Sequence, residues 1–226
     1  MAPPLAKAYD LMRARYGHRG WWPGETPFEI CVGAILTQNT NWQNVERALA
    51  NLKNSSALSI AVINRLAPTQ LAELLRPAGY YNLKAKRLQS FTSQLDAEFG
   101  GSLEALFALA PSQAREWLLA INGIGPETAD SILLYAGHHP SFVVDAYTQR
   151  IFSRHHWIAA PASYDDVKTL CESHLSRPTQ SGLIDYWQDY HAQLVQIGKD
   201  HCRPRDPRCA SCPLETLLPP ELSPSK

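Results

Sequence analysis

A short glycine turn between two helical patterns constrains the fold of this chain most strongly. Gly123-Ile124-Gly125 separates a helical pattern over 113–120 from a second pattern in which Thr128, Ile132 and Tyr135 share one face. Glycine adopts positive φ readily and has no Cβ, so this turn exposes backbone N–H groups. Those groups open the second helix, whose positive end favours an anion. The turn predicts either a phosphate-binding loop between paired helices or, read alone, a plain helix break.

The rest of the chain also favours helices. No segment alternates between apolar and polar residues for long, whereas apolar residues recur at helical spacing almost throughout. We therefore predict an all-α fold. The predicted helices cover 5–16, 28–37, 42–52, 57–65, 69–75, 81–99, 102–109, 112–120, 126–136, 143–156, 164–176 and 183–198.

Charge and composition narrow the class of protein. Lysine plus arginine and aspartate plus glutamate each number 21, and this neutral balance argues against a protein that coats nucleic acid non-specifically. A local basic stripe at Lys84, Lys86 and Arg87 could still contact DNA, or could be a solvated helix face. The chain shows neither a signal peptide nor an apolar run long enough to span a membrane, so we expect a cytoplasmic protein without membrane contact. Its five cysteines are then expected to be reduced or metal-bound.

Two segments together resemble a known family. Asp145 follows the glycine turn by twenty residues, directly after the apolar run Phe142-Val-Val. This arrangement resembles the helix-hairpin-helix DNA glycosylases of the endonuclease III superfamily. The segments Gly-Ile-Gly-Pro-Glu-Thr-Ala-Asp and Val-Val-Asp-Ala-Tyr are most similar to its 3-methyladenine (methylpurine) glycosylases. The resemblance implies a six-helix lobe over 22–137, a second lobe from 1–21 and 138–226, and a DNA cleft between them.

The resemblance also assigns the chemistry. Asp145 would stabilise the oxocarbenium-like transition state at C1′. The alternative is that Asp145 serves only as the N-cap of a helix. Asn122, Gly123, Ile124 and Gly125 would contact the DNA backbone. Relatives with lyase activity carry a lysine two residues after the second glycine of the turn, and this chain has Glu127 there. We therefore expect hydrolysis of the glycosidic bond without abasic-site lyase activity.

The predicted base pocket is aromatic. An alkylated purine is electron-poor and often cationic, so it stacks favourably on aromatic faces. By resemblance, Gln38 would fill the space left by the flipped nucleotide, while Glu127 and Lys199 would lie near the base. The alternative for the adjacent residues Trp21 and Trp22 is that they simply fill the hydrophobic core. The aromatic and proline candidates for the pocket are Trp21, Trp22, Pro23 and Trp42.

The C-terminal cysteines leave a cofactor question open. Cys202, Cys209 and Cys212 match the first three positions of the family's Cys-x6-Cys-x2-Cys-x5-Cys loop, but the fourth position is Leu218. The loop could hold a [4Fe–4S] cluster with water or His201 as the fourth ligand. It could instead bind zinc through three cysteines and a histidine, or be a relic without metal.

The sequence thus predicts a monomeric base excision repair enzyme that acts on damaged double-stranded DNA. The favoured activity is a monofunctional glycosylase for alkylated purines of the 3-methyladenine type. The alternatives are a thymine or uracil mismatch glycosylase and a bifunctional enzyme with endonuclease III-like lyase activity. An alternative of another class is a DNA-binding module without catalysis, which would not need Asp145.

Overall fold

A computed structural model describes residues 2–21, 24–159 and 161–222. Throughout these residues the chain forms helices and turns and no β-strand, so the all-α prediction is confirmed. The chain divides into two compact units. One unit is Trp22–His139, and the other combines Met1–Trp21 with Pro140–Lys226.

The continuous unit is built around two buried helices. Helix α2 is almost wholly apolar and buries most of its length, including Ile30, Val32 and Ile35, while α6 buries Leu88 and Phe91. Burial of such side chains contributes roughly 1.5–3 kcal/mol each to folding. The helices of this unit are α2 Pro27–Leu36, α3 Trp42–Asn54, α4 Ile60–Arg65, α5 Pro68–Leu74, α6 Tyr81–Phe99, α7 Leu103–Phe107, α8 Pro111–Ala120 and α9 Pro126–Ser131.

Helices α8 and α9 form the pair that the glycine turn predicts. A single helix was expected over 126–136, but α9 widens after Ser131 into a π-helical turn, Ile132–Ala136. Arg115 of α8 donates two hydrogen bonds to the buried carboxylate of Asp130 in α9, at 2.9 and 3.2 Å. This two-point contact fixes the orientation of the two helices on either side of the turn.

The second unit contains α1 Leu5–Tyr16, α10 Ala146–Arg154, α11 Tyr164–His174 and α12 Gln180–Asp200. The predicted helix over 143–156 begins only at Ala146, because Phe142, Val143 and Val144 form a buried extended segment before it. Helix α12 is longer than predicted and is buried over much of its length, with α1 and α10 packed against it. A membrane span would need a longer apolar stretch than any helix in the described ranges provides.

Candidate functional site

The turn between α8 and α9 presents its backbone to solvent. Gly123 has a φ of +92°, where glycine is favoured, whereas Gly125 has an ordinary φ of −95° as the N-cap of α9. Ile124 is buried, and its N–H donates to the Ile121 carbonyl at 3.0 Å. Asn122 and Gly125 are exposed. The buried isoleucine therefore anchors the turn, and the residues around it are accessible to a ligand.

Arg87 packs directly over Gly123. A Cβ added at Gly123 would lie 2.3 Å from Cγ of Arg87, so a larger residue would have to displace Arg87 and would also be strained at this positive φ. By contrast, a Cβ at Gly125 would meet nothing within 4 Å. The two glycines of the turn therefore differ: a side chain at Gly123 would be strained and would displace Arg87, whereas Gly125 has open space beside it.

Gln38 lies against this turn, within the same unit. Its Nε2 donates to the Gly123 carbonyl at 3.0 Å and to Thr128 Oγ1 at 3.1 Å, and Arg87 Nη1 donates to its Oε1. The structure thus brings together a glutamine predicted to enter the duplex and the turn predicted to bind its backbone. Arg87, which the sequence suggested only as part of a basic stripe, joins the two.

The structure removes Lys84 from the predicted basic stripe, whether that stripe is taken as a DNA contact or as a solvated helix face. Lys84 is buried, and its Nζ donates to the Ala78 carbonyl at 2.7 Å. Burial, and after it the charge of Arg87, lowers the pKa of Lys84 to about 8. Lys86 is exposed and Arg87 is half-buried. Helical spacing turns Lys84 toward the interior, where it holds the turn before α6.

Asp145 is the buried N-cap of α10. Its Oδ1 accepts hydrogen bonds from Thr148 N at 2.7 Å and Thr148 Oγ1 at 2.9 Å. Its Oδ2 lies 3.5 Å from His191 Nε2 of α12, an ion-pair distance that is too long for a strong hydrogen bond. The side chain of Asp145 is 10% exposed. The capping role and a role in chemistry use different oxygens, so the geometry is compatible with both.

The environment of Asp145 keeps it ionised. Burial alone would raise the pKa of this carboxyl group. The proximity and charge of His191 and the two hydrogen bonds from Thr148 outweigh burial and hold the pKa below its usual 3.8. Asp145 is therefore a buried carboxylate that carries a negative charge at neutral pH. The sequence offered no signal for His191, because a single histidine in a long helix has many ordinary structural roles.

Trp21 contacts His191, the residue whose Nε2 faces the Asp145 carboxylate. The ring centroids of Trp21 and His191 are 5.9 Å apart, with the planes tilted by 47°. Trp21 is half-buried. The prediction for Trp22 and Pro23 falls on residues outside the described ranges. Trp21, His191 and Asp145 thus form a continuous cluster in the second unit.

Three other residues predicted for the pocket lie on three different helices. Trp42 begins α3 and borders a groove lined by Glu25, Glu29 and Glu46 in the continuous unit. Glu127 is exposed in the first turn of α9. Lys199 is exposed on α12, about two helical turns after His191.

The three C-terminal cysteines line one cavity. Cys202 is buried, and Cys209 and Cys212 are half-buried. Burial, and after it the charges of Cys202 and Cys209, raises the pKa of the Cys212 thiol to about 11. The wall of the cavity is formed by Arg154, His155, Ile197, His201, Cys202, Cys209, Cys212, Leu214, Glu215 and Leu218.

Helix α10 holds this cysteine loop in place. Arg150 Nε donates to the Cys202 carbonyl at 2.7 Å, and Arg154 Nη1 approaches Cys202 Sγ at 3.3 Å. Arg154 also donates to the Arg203 and Pro204 carbonyls at 2.5 and 2.9 Å. In the described ranges no three His, Cys, Asp or Glu side chains converge closely enough for a single metal ion.

Sequence comparison places these features in a family. The profile described as "HhH-GPD superfamily base excision DNA repair protein" matches residues 32–177, which include the glycine turn and Asp145. A protein of Methanocaldococcus jannaschii that carries a provisional name as a DNA repair glycosylase is 45% identical over 93% of this chain and 94% of its own length. Endonuclease III of Thermotoga maritima is 26% identical over 82% of this chain and 79% of its own length.

Solved structures show the same architecture. The 3-methyladenine DNA glycosylase of Helicobacter pylori, solved with 1,N6-ethenoadenine, superposes with a TM-score of 0.75 at 31% identity. That alignment covers 86% of this chain and 97% of the other. A non-covalent endonuclease III–DNA complex gives a TM-score of 0.80 at 20% identity over 95% and 93% of the two chains, a likeness of fold alone.

Proposed function

The chain belongs to the HhH-GPD superfamily of base excision DNA repair proteins and is a DNA glycosylase, and we propose that it is monofunctional and releases alkylated purines of the 3-methyladenine type. The carrying observation is the buried, ionised Asp145 beside His191 and Trp21. The presence of Glu127 in place of a lysine supports the monofunctional part of the proposal.

Asp145 would stabilise the charge that develops as the glycosidic bond breaks. The base leaves with the bonding electron pair, the sugar acquires positive charge at C1′, and a water oxygen then bonds to C1′ and gives its proton to solvent. A fixed carboxylate near C1′ lowers the energy of that cationic state. Because the pKa of Asp145 is held below 3.8, the charge is in place before the substrate binds.

A cationic alkylated base suits this site for two reasons. It leaves as a neutral molecule, so its departure does not require protonation by a general acid. It also stacks well on an indole face, and Trp21 lies within one ring contact of the His191–Asp145 pair. Trp42 and Glu127 are further candidates for contact with the base, and so are Trp22, Pro23 and Lys199.

The glycine turn would bind the DNA backbone independently of sequence. Asn122 and Gly125 of this turn are exposed between α8 and α9. Backbone N–H groups at such a turn can donate hydrogen bonds to phosphate oxygens. Gln38 is held at the same turn and would move into the duplex when the nucleotide is flipped out. Damaged double-stranded DNA is therefore the proposed partner, bound by a monomer.

The proposal is tested by incubating the purified protein with methylated duplex DNA and identifying the released bases by chromatography. Release of 3-methyladenine and related purines is expected, with none from duplexes that carry a thymine mismatch or uracil. Release only from mismatch or uracil duplexes would replace the substrate assignment with the mismatch-glycosylase alternative. Binding to damaged DNA without release of any base would favour the non-catalytic module.

We further propose that the cysteine loop holds a [4Fe–4S] cluster. The residues fit such a group because the three thiols line one shared cavity and Arg154 places a positive charge 3.3 Å from Cys202 Sγ. Each thiolate of such a site binds a different iron, so three thiols around one cavity are a suitable ligand set. Cys202, Cys209 and Cys212 would hold it, and its contribution here would be to fix the fold of the loop.

A further inference from the structure

We propose that His155 is the fourth protein ligand of this cluster and takes the place of the cysteine missing at position 218. The inference rests on the proposed cluster but not on the proposed substrate. It assigns a role to a residue that lies forty-seven positions before the first cysteine of the loop.

His155 lies in the wall of the cavity that the cysteine loop lines. It ends α10 as its C-cap and lines the same cavity as the three thiols and Leu218. Its Nδ1 lies 3.1 Å from the carbonyl oxygen of Leu217, the residue next to the position where a fourth cysteine would stand. The imidazole is thus tied to the segment that would otherwise supply the missing thiolate.

The contact with Leu217 also sets the state of the imidazole. A carbonyl oxygen only accepts hydrogen bonds, so Nδ1 must donate its proton to it. A neutral imidazole that is protonated at Nδ1 carries its lone pair on Nε2. Histidines that bind metals are commonly held in this manner, with one nitrogen donating to a backbone carbonyl and the other bound to the metal. Within the described ranges, Nε2 of His155 makes no hydrogen bond.

His201, the histidine that the sequence suggested, is less suitable. Its Nε2 lies 3.0 Å from the Tyr16 hydroxyl, and its Nδ1 lies 3.3 Å from Ser211 Oγ. Both nitrogens are therefore engaged, and one contact would have to break before His201 could bind iron. For His155, no hydrogen bond at Nε2 would have to break. Although both imidazoles line the cavity, only His155 has a nitrogen available.

The charges around the cavity favour an anionic group. Arg154 places Nη1 3.3 Å from Cys202 Sγ, and it is held there by the Arg203 and Pro204 carbonyls. A guanidinium that is fixed beside a thiolate offsets part of the negative charge of a cluster with three cysteine ligands. Replacing a fourth thiolate with neutral histidine removes one further negative charge. The Cys3His set is thus matched to this cavity.

The test uses full-length protein that is produced with ¹⁵N-labelled histidine and then reconstituted anaerobically with iron and sulfide. Iron and zinc are measured by elemental analysis. The cluster is reduced by irradiation at 77 K, and its nitrogen couplings are recorded by pulsed electron paramagnetic resonance. We expect ~4 irons per chain and a ¹⁵N coupling that is absent from His155→Ala and retained in the matched control His201→Ala.

Iron retention provides the second readout. Loss of His155 should speed iron release to a chelator by ~10-fold or more, because even outer-shell changes cost 10–100-fold in metal affinity. Adding Leu218→Cys to His155→Ala should restore slow release. This rescue also shows that the His155→Ala chain folds.

The contrary results distinguish a wrong ligand from an absent cluster. A wild-type cluster without ¹⁵N coupling, or one whose coupling survives in His155→Ala, would overturn His155 as the ligand and leave the cluster in place. Protein with no iron, or with one zinc instead, would overturn both the cluster and its ligand. Base release measured on the same samples reports separately on the proposed substrate.

Discussion

Asp145→Asn separates the two roles that the structure allows for this side chain. Asp145 Oδ1 accepts two hydrogen bonds from Thr148, and Oδ2 faces His191 at 3.5 Å. Asparagine offers the same Oδ1 acceptor, and it caps helices as well as aspartate does. The substitution therefore keeps the start of α10 and removes only the negative charge.

The size of the effect follows from that difference. Loss of one charge-stabilising group at a reacting centre costs ~10²–10³-fold in rate, or about 2.7–4 kcal/mol. The matched variant Asp145→Ala should lose the same catalysis and in addition the N-cap, which is worth about 1 kcal/mol of folding stability. For a chain of this size, 1 kcal/mol lowers the melting temperature by roughly 2–4 °C.

The assay is single-turnover release of 3-methyladenine from methylated duplex DNA, alongside thermal unfolding and DNA affinity. Asp145→Asn should bind DNA and unfold like the wild type while its release rate falls at least ~10²-fold. If Asp145 were only a helix cap, Asp145→Asn would be silent and Asp145→Ala would change stability alone. A release rate of Asp145→Asn within threefold of wild type would refute the catalytic assignment.

Three further predictions follow from the site. Borohydride should trap no covalent adduct with DNA, because Glu127 replaces the Schiff-base lysine; a strong trapped band on a gel would show that another amine has taken over. Gly125→Asp should weaken binding to all duplexes about equally in a titration. The control Gly125→Ala should bind like wild type, because its Cβ meets nothing within 4 Å. A loss of affinity confined to damaged DNA would contradict a contact with the DNA backbone. His191→Ala should move the acid limb of the rate profile to higher pH, because burial then raises the pKa of Asp145 unopposed by His191; unchanged pH–rate profiles would exclude this effect.

The local patterns predicted the fold well where helical spacing and helix ends agree. The helices Leu5–Tyr16 and Tyr81–Phe99 have the predicted bounds, because glycine follows each of them directly. The predicted start at 143 was wrong because Val143 and Val144 are as apolar as a helix face, although they are buried as extended chain. Over only three residues, the spacing of apolar residues does not distinguish a buried helix from a buried extended segment.

The candidate site was predictable only where its residues lie in one short segment of the chain. The turn and Asp145 are local motifs, and the sequence predicted both. His191 and Arg87 act through contacts with residues far away in the chain, Asp145 and Gln38, and only the packing of helices brings these together. Lys84 shows the converse error, since a lysine in a basic run can still face the interior when a backbone carbonyl accepts its hydrogen bond.

Helix α10 connects the proposed chemistry with the proposed cluster. Asp145 caps its first residue and His155 its last, so the two lie at opposite ends of a nine-residue helix of about 14 Å. Between them, Arg150 and Arg154 bind the backbone of the cysteine loop. A ligand bond from His155 to the cluster would fix the far end of the same helix whose first turn holds Asp145. Because the fourth ligand would come from the C-cap of α10 and not from position 218, the cluster would connect the cysteine loop directly to the helix that Asp145 caps.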